Sequence, residues 1–252
     1  MIKWTEMSKH LSVIIPAYNE ENRIKETLGE VYNYLTRQNY SWEVIVVSDG
    51  SKDRTVEVIS EFISNKPEVI LIANTKNHGK GYVVRQGILQ AGGQFRLFTD
   101  ADNSTSIEQV EKFLPYLTEK EYDIVIGSIE VPGAEIHEQA QWYRRALGKY
   151  SKYIIRIVAG LWSIRDTQRG FKCFTAASAV NIFSRTKIDR FGFDIEVLAL
   201  AKKMGYKIKE VPIVWNNPSD SKVNLNSYFE VLKDLFKIRF YLWFNVYGIK
   251  KN

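Results

Sequence analysis

The sequence has a single cysteine and no long hydrophobic run, and both features restrict where the protein can function. Cys173 is the single cysteine in 252 residues, so the chain cannot form an internal disulfide, which is typical of a reducing compartment. No apolar stretch reaches the about 20 residues that a membrane-spanning helix needs. Residues 1–10 carry charges and no apolar segment, which predicts that there is no signal peptide. We therefore expect a cytoplasmic protein that is soluble or bound to the cytoplasmic face of a membrane.

The composition is that of a folded and moderately basic protein. Hydrophobic residues make up 45% and charged residues 25% of the chain, the usual balance of a globular domain. The formal net charge of +6 predicts an anionic partner, and a nucleotide, an acidic membrane surface and a nucleic acid all fit it. We expect no nucleic-acid partner, because the sequence contains no helix-turn-helix, zinc-ligand set or aromatic RNA-binding signature.

Strand-like and helix-like segments alternate through the first half of the chain. Apolar runs predict strands at Leu11 to Ile15, Glu43 to Val47, Val69 to Ile72, Phe95 to Thr99 and Ile124 to Ile126. Helical spacing of apolar residues predicts helices at Glu21 to Arg37, Arg54 to Ser64, Gly81 to Ala91 and Ser106 to Thr118. This alternation predicts an α/β fold with a mostly parallel sheet covered by helices on both faces.

The second half of the chain departs from this alternation. Aromatic and basic residues are interleaved in two predicted amphipathic helices, Gln141 to Leu161 and Ser227 to Tyr247. These helices either pack on the core or lie in the interface of an anionic membrane, and we expect the membrane contact because so many basic residues accompany the aromatic ones. The other predicted elements are a polar loop and strand over Asp166 to Phe174, a helix over Phe193 to Met204 and a strand over Val211 to Trp215. We expect one α/β domain over residues 1–222 and an amphipathic C-terminal helix over residues 223–252.

Two carboxylates, Asp100 and Asp102, flank Ala101 directly after the predicted strand Phe95 to Thr99. Open α/β sheets bind ligands at the carboxyl ends of their strands. Two neighbouring anions at that position favour a hard divalent cation, Mg²⁺ or Mn²⁺, which leaves coordination positions open for a diphosphate. The alternative is that the carboxylates cap the following helix.

Three more predicted strands lead into polar turns at the same edge of the sheet. The turns are Pro16-Ala-Tyr-Asn-Glu20, Ser48-Asp49-Gly50 and Asn77-His-Gly-Lys-Gly81. Asp49 can accept hydrogen bonds from a base or a ribose, and Lys80 can contact phosphate beside glycines that let the backbone approach a ligand. Helix capping explains any one of these turns, but it does not explain why four strands all deliver polar residues to one edge.

Together with Asp100-Ala-Asp102, these turns resemble the family 2 glycosyltransferases of the GT-A fold. The resemblance continues through Arg165 to Lys172, Arg190 to Glu196 and Ser221-Lys222, where it is greatest to members that act on dolichyl and other polyprenyl phosphates. In one departure, Ser48-Asp49 stands where the family often has two acids. The resemblance implies metal-dependent, inverting transfer of a hexose to a polyprenyl phosphate, with UDP-glucose favoured as donor. GDP-mannose as donor, a glycan hydroxyl as acceptor, and a non-catalytic basic protein that binds nucleotides or nucleic acid are the alternatives.

The resemblance also implies roles for individual residues. Asp100 and Asp102 are expected to hold the metal ion. The catalytic candidates are Asp102, Asp194, Gln168 and Arg169. The donor nucleotide is expected to contact Pro16, Tyr18, Glu20, Asp49, Gly79, Lys80, Asp100 and Ala101. Two roles stay open: Asp194 either caps a helix or orders the acceptor pocket, and Arg169 reaches either the donor diphosphate or the acceptor phosphate.

A phosphate acceptor changes what the protein must supply. A phosphate monoester is already anionic near neutral pH, so it can attack without a general base, and the site needs basic residues to hold it. The candidates are Arg144, Arg145, Lys172 and Lys222. Each of these residues is alternatively part of a solvated surface.

Overall fold

A computed structural model describes residues 9–137, 153–216 and 225–249, without the side chains of residue 137 and residues 225–228. The strands are β1 (Lys9–Ala17), β2 (Trp42–Asp49), β3 (Val69–Asn74), β4 (Gly93–Thr99), β5 (Ile124–Ser128), β6 (Glu135–His137), β7 (Phe171–Thr175), β8 (Ile208–Pro212) and β9 (Val214–Asn216). The helices are α1 (Ile24–Leu35), α2 (Thr55–Ile63), α3 (Lys80–Gln90), α4 (Leu114–Thr118), α5 (described over residues 153–158), α6 (Ala176–Phe183), α7 (Phe193–Lys203) and α8 (Leu225–Trp243).

The predicted mostly parallel α/β sheet is confirmed. Among the described residues, seven strands form a sheet in the order β3-β2-β1-β4-β7-β5-β8, and β6 pairs with β9 in a second, two-stranded sheet. Within the larger sheet, as far as it is described, β7 is the one antiparallel strand and it pairs with β4 and β5. All five strands predicted in the first half of the chain are present.

The strand order contains a reversal between β1 and β4. The chain adds β2 and then β3 on one side of β1, and it returns through α3 to place β4 on the other side of β1. Ligands of open α/β sheets bind outside the carboxyl ends of the strands at such a reversal. The topology therefore directs attention to the residues that follow Ala17 and Thr99, where β1 and β4 end.

Alternate residues of each central strand face two hydrophobic clusters, one on each side of the sheet. In β4, Phe95 and Leu97 join the cluster that contains residues of α1, whereas Phe98 joins the cluster that contains residues of α3, α6 and α7. In β1, Val13 and Ile14 divide in the same way. Strands buried on both faces read as continuous apolar runs, which explains why the sequence revealed them.

Two predicted elements are divided in the structure, each beside a proline. The helix predicted over Ser106 to Thr118 is a 3₁₀ helix (Ile107–Lys112) followed by α4, because Pro115 has no N–H and its ring would clash with a preceding carbonyl in a continuous α-helix. The strand predicted over Val211 to Trp215 is divided after Pro212, so that β8 joins the large sheet and β9 the small one.

The predicted C-terminal amphipathic helix is confirmed as α8. Leu235 and Ile238 are fully buried in the cluster that includes α7. The opposite face of α8 carries exposed aromatic side chains at helical spacing, namely Phe229, Phe236, Phe240 and Trp243. In the described part of the chain, no helix is both long and apolar enough to cross a membrane. Most of the helix predicted over Gln141 to Leu161 lies outside the described residues.

Glu196 of α7 connects the C-terminal segment to the turn that precedes α7. Its carboxylate is fully buried and accepts hydrogen bonds from the backbone N–H groups of Lys187 (2.9 Å) and Ile188 (3.0 Å). It also accepts one from the hydroxyl of Tyr247 at 2.8 Å. Burial raises the pKa of Glu196, although these three donors act in the opposite direction.

We expect Glu196→Ala to lower the free energy of unfolding by about 3 kcal/mol, because it leaves buried donors without an acceptor. Urea unfolding at neutral pH measures the difference. Glu61→Ala, at an exposed position of α2, is the matched control and should change stability by less than about 0.5 kcal/mol. Equal stability of Glu196→Ala and the unsubstituted protein would show that the buried carboxylate has no such role.

Candidate active site

The turns that follow β1 and β2 are joined by hydrogen bonds at the carboxyl edge of the sheet. The backbone N–H of Asn19 donates to Ser51 Oγ at 3.1 Å, and that of Glu20 donates to Thr55 Oγ1 at 2.7 Å. In the other direction, the backbone N–H of Lys52 donates to Asn19 Oδ1 at 2.8 Å. The two turns therefore form one continuous surface beside the strand reversal.

Asp49, at the end of β2, holds the loop between β3 and α3. Its buried carboxylate accepts hydrogen bonds from the backbone N–H groups of His78 (2.7 Å) and Gly79 (2.9 Å). Gly79 has a φ of 108°, and a Cβ at this position would collide with the carbonyl oxygen of Asp189. Asp49 and Gly79 thus determine where α3 begins and where its first residue, Lys80, is placed.

Lys80 reaches from α3 to the carboxylates that follow β4. Its Nζ lies 2.5 Å from Asp100 Oδ1, and both side chains are about one quarter exposed. Burial alone would lower the pKa of Lys80, but the charges of Asp100, Asp194 and Asp102 outweigh it and raise that pKa. Burial and the adjacent charge of Asp100 raise the pKa of Asp102. The predicted acidic motif is therefore a real cluster of charge that faces an ammonium group.

Gly170 allows the loop before β7 to lie against Asp100. The carbonyl oxygen of Gly170 accepts a hydrogen bond from the Asp100 N–H at 3.2 Å, and a Cβ on Gly170 would collide with the Asp100 carboxylate. Beside it, Arg169 Nε lies 3.2 Å from the buried Asp166 carboxylate. The Arg169 guanidinium also lies over the ring of Trp215, 4.2 Å from its centroid. The loop therefore holds a fixed cation on the residue next to Gly170, the glycine that packs against Asp100.

Lys172 and Asp194 form a buried ion pair behind Asp100 and Lys80. Lys172 Nζ lies 2.5 Å from Asp194 Oδ1 and donates to the carbonyl oxygen of Arg169, also at 2.5 Å. Lys172 is fully buried. Burial raises the pKa of Asp194, while the charges of Lys172 and Lys80 oppose that rise. The expectation that Lys172 holds an acceptor phosphate is not supported, because its ammonium group is already bound within the protein.

The structure brings most of the predicted donor-site residues to one edge of the sheet. Pro16 is buried at the end of β1, and Tyr18 and Glu20 are half-buried in the turn beyond it. Ala101 is buried, and its carbonyl oxygen accepts a hydrogen bond from Thr27 Oγ1 at 2.8 Å. Ala101 directly follows Asp100, and Tyr18 and Glu20 follow β1, the strand that pairs with β4.

Not every candidate is placed in this cluster. Gln168 is exposed in the loop before β7. Arg144, Arg145 and Lys222, the candidates for acceptor binding, lie outside the described residues. Their assigned role stays a prediction.

Sequence reasoning did not identify Asp166, Gly170 and Trp215 as parts of the site. Asp166 is a charged residue in a segment that ends in a buried strand, which is a signal for a buried, paired carboxylate. Gly170 directly before β7 is a signal for a close approach of the backbone. Trp215 carries no comparable signal, because its contact with Arg169 joins residues that are 46 positions apart.

The carboxylates fit a divalent cation that shares its coordination with a substrate. Asp100 and Asp102 supply hard oxygen ligands, and the described residues contain no group of three or more His, Cys, Asp and Glu arranged for a metal. Two carboxylates cannot enclose an ion by themselves. They suit Mg²⁺ or Mn²⁺ that keeps water molecules and binds phosphate oxygens. Two carboxylate ligands of this kind are expected at a site where a metal ion and a nucleotide bind together.

The chain matches the model of a known family and is similar to characterised proteins. The family model described as glycosyl transferase family 2 matches residues 12–190. A dolichyl-phosphate β-glucosyltransferase of Trichomonas vaginalis is 36% identical over 96% of this chain and 74% of its own length. The human dolichyl-phosphate β-glucosyltransferase is 34% identical over 94% of this chain and 76% of its own length.

A solved structure shares the fold. It is that of glucosyl-3-phosphoglycerate synthase from Mycobacterium tuberculosis in complex with Mn²⁺, UDP-glucose and phosphoglyceric acid. It aligns with a TM-score of 0.68 and 15% identity, over 98% of this chain and 83% of the other. This likeness confirms the predicted GT-A architecture.

The buried pair of Lys172 and Asp194 leads us to predict that Lys172→Met destabilises the protein. We expect the free energy of unfolding to fall by about 3–5 kcal/mol, because the Asp194 carboxylate remains buried without its partner. Loss of Lys172 raises the pKa of Asp194 further, so the destabilisation should be largest above that pKa and shrink as the pH falls and the carboxyl group becomes neutral. Urea unfolding at acidic and at neutral pH measures both effects.

Two further variants serve as controls. Lys172→Met combined with Asp194→Asn should recover part of the lost stability at neutral pH, because the buried charge is removed as well. Lys207→Met, at an exposed position before β8, should be close to neutral. A loss for Lys172→Met that does not vary with pH would contradict an uncompensated Asp194 charge.

Proposed function

The chain belongs to glycosyltransferase family 2, and from that premise we propose that it transfers glucose from UDP-glucose to dolichyl phosphate or another polyprenyl phosphate. The names of the relatives at 34% and 36% identity support this sugar and this acceptor. The Mn²⁺ and UDP-glucose bound in the synthase of the same fold support the donor and the metal. The observation that carries the proposal is the contact of Lys80 with Asp100, beside Asp102, at the strand reversal.

The donor diphosphate is the natural ligand of this charged cluster. Asp100 and Asp102 would hold Mg²⁺ or Mn²⁺, which when bound offsets the charge that develops on the diphosphate as UDP leaves. Lys80 stands at the amino end of α3, where the helix dipole also favours an anion. Asp49 supports the donor site by holding the loop that carries Lys80.

The proposed reaction is a single displacement. An oxygen of the acceptor phosphate attacks the anomeric carbon of glucose on the face opposite the diphosphate. The bond from that carbon to the diphosphate breaks, and its electron pair leaves with UDP. The configuration at the anomeric carbon is inverted, which agrees with the β linkage in the names of the relatives.

The state of Asp194 supports a phosphate acceptor over a hydroxyl acceptor. A hydroxyl acceptor needs a general base, but the Asp194 carboxylate is buried and paired with Lys172 at 2.5 Å. A phosphate acceptor is already ionised and needs only to be held and oriented. Arg144, Arg145 and Lys222 are our candidates for holding it, and Arg169 in the loop before β7 is a further one.

The exposed face of α8 supports contact with the membrane that contains the acceptor lipid. Trp243 is 79% exposed and Phe229 is 72% exposed, which is unusual for aromatic side chains of a protein surrounded by water. Lys233 and Lys237 lie exposed beside these aromatic residues. An aromatic stripe with basic neighbours is typical of a helix that lies in the interface of an anionic membrane. Binding to the cytoplasmic face of that membrane stays part of this proposal.

The proposed activity is tested by incubating the protein with radiolabelled UDP-glucose, polyprenyl phosphate and Mn²⁺ or Mg²⁺. We expect radioactivity in the lipid fraction, and a loss of about 100-fold or more in turnover for Asp102→Asn, because one metal ligand is removed. A chelator should abolish turnover, and Glu61→Gln is the control. Faster turnover with GDP-mannose, or with a soluble hydroxyl acceptor in place of polyprenyl phosphate, would favour the alternative donor or acceptor.

Membrane contact is tested by co-sedimentation with vesicles of phosphatidylcholine, with and without phosphatidylserine. We expect binding to the anionic vesicles that weakens as salt rises. Phe240→Ser with Trp243→Ser should lower the affinity by about tenfold or more, because two large apolar side chains no longer enter the interface. The matched control, Ile70→Ser with Leu89→Ser, removes exposed apolar side chains elsewhere and should bind normally. Equal binding of the two double variants would overturn the assignment of α8.

A further inference from the structure

Lys80 occupies the place that a divalent cation needs. Its Nζ lies 2.5 Å from Asp100 Oδ1, so one of the two acidic side chains already has a cation in contact. An ammonium group and a divalent ion that contact the same carboxylate repel each other. The carboxylate of Asp100 therefore cannot bind both cations tightly at the same time. From this contact we infer that Lys80 neutralises Asp100 until metal and donor bind. The divalent ion then replaces Lys80 at Asp100, and the ammonium group of Lys80 moves to the donor diphosphate.

The balance of charge in the cluster supports this exchange. When all five groups are ionised, Asp100, Asp102 and Asp194 carry three negative charges, and Lys80 and Lys172 carry two positive charges. The cluster then has a net charge of −1, and a divalent ion alone would change it to +1. A divalent ion together with a diphosphate that carries two negative charges leaves the net charge at −1. Metal and donor should therefore bind together rather than one after the other.

Of the two lysines, Lys80 is the one that is able to move. Lys172 is fully buried and bound to both Asp194 and the carbonyl oxygen of Arg169. Lys80 is about one quarter exposed. The backbone around it is held by Asp49, through its bond to the N–H of Gly79, and by Asp189, whose carbonyl accepts the N–H of Tyr82 at 3.0 Å. Movement is thus limited to the flexible side chain of Lys80, from the carboxylate to a phosphate at the start of α3.

This inference rests on the proposed function, since it requires the metal and the nucleotide donor. Its test is the binding of Mn²⁺, followed by electron paramagnetic resonance or calorimetry, with and without UDP. In Lys80→Met, we expect Mn²⁺ alone to bind about tenfold or more tightly than in the unsubstituted protein, because the competing charge is gone. UDP should bind the Mn²⁺-loaded variant more weakly, because the phosphate loses its ammonium partner.

Two control variants and one linkage measurement complete the test. Lys80→Arg keeps the positive charge and should keep Mn²⁺ binding weak without UDP, and Lys207→Met, before the amino end of β8, should behave as the unsubstituted protein does. The factor by which UDP strengthens Mn²⁺ binding should be smaller in Lys80→Met. Circular dichroism confirms that each variant is folded.

In Lys80→Met we expect tighter binding of Mn²⁺ and weaker binding of UDP. A merely structural role of Lys80 would instead weaken the binding of both, so the two explanations can be distinguished. Unchanged or weaker binding of Mn²⁺ alone to folded Lys80→Met would overturn the inference while leaving the proposed function intact. Absence of Mn²⁺ binding from every variant, even with UDP, would instead overturn the metal site and the proposed mechanism together.

Discussion

The structure around the end of β4 depends on balancing the charge of three carboxylates, two that follow β4 and one from α7. Asp100, Asp102 and Asp194 lie close enough to influence one another, and burial makes their charges costly. Two lysines from different elements, Lys80 of α3 and Lys172 of β7, supply the opposing charge. The Lys172–Asp194 pair is buried, whereas the side chains of the Lys80–Asp100 pair are about one quarter exposed to solvent. A site of this kind is prepared for a ligand that brings cation and anion at once.

The backbone around the cluster is held by specific contacts. Asp49 binds two backbone N–H groups of the loop before α3, and Gly170 packs directly against Asp100. These contacts join β2, β4, the start of α3 and the loop before β7. Rigid support of this type keeps charged groups oriented, which is the main contribution that a protein makes to phosphate chemistry.

The aromatic helix α8 is tied to the same region. On its buried side, Asp234 of α8 packs against Gly192 at the start of α7, the helix that carries Asp194. Beyond α8, Tyr247 donates to Glu196 of α7, which in turn holds the backbone at Lys187 and Ile188. The surface that we assign to the membrane is thus only a few contacts from the carboxylate cluster. A lipid acceptor would need such closeness, since its phosphate cannot travel far from the interface.

The sequence by itself determined the α/β class, the strands of the parallel sheet and the acidic and basic turns at its edge. Those features depend on local periodicity, on residues that end strands and on motifs whose order resembles one family, so a linear reading finds them. Tertiary structure decided that Lys172 pairs with Asp194, that Arg169 lies over Trp215 and that Glu196 faces Tyr247. These pairings join residues distant in the chain, and no local rule chooses one charged or aromatic partner from the many that the sequence offers. The strength of a charge contact depends on distance and burial, and both are set only when the sheet and its helices have packed.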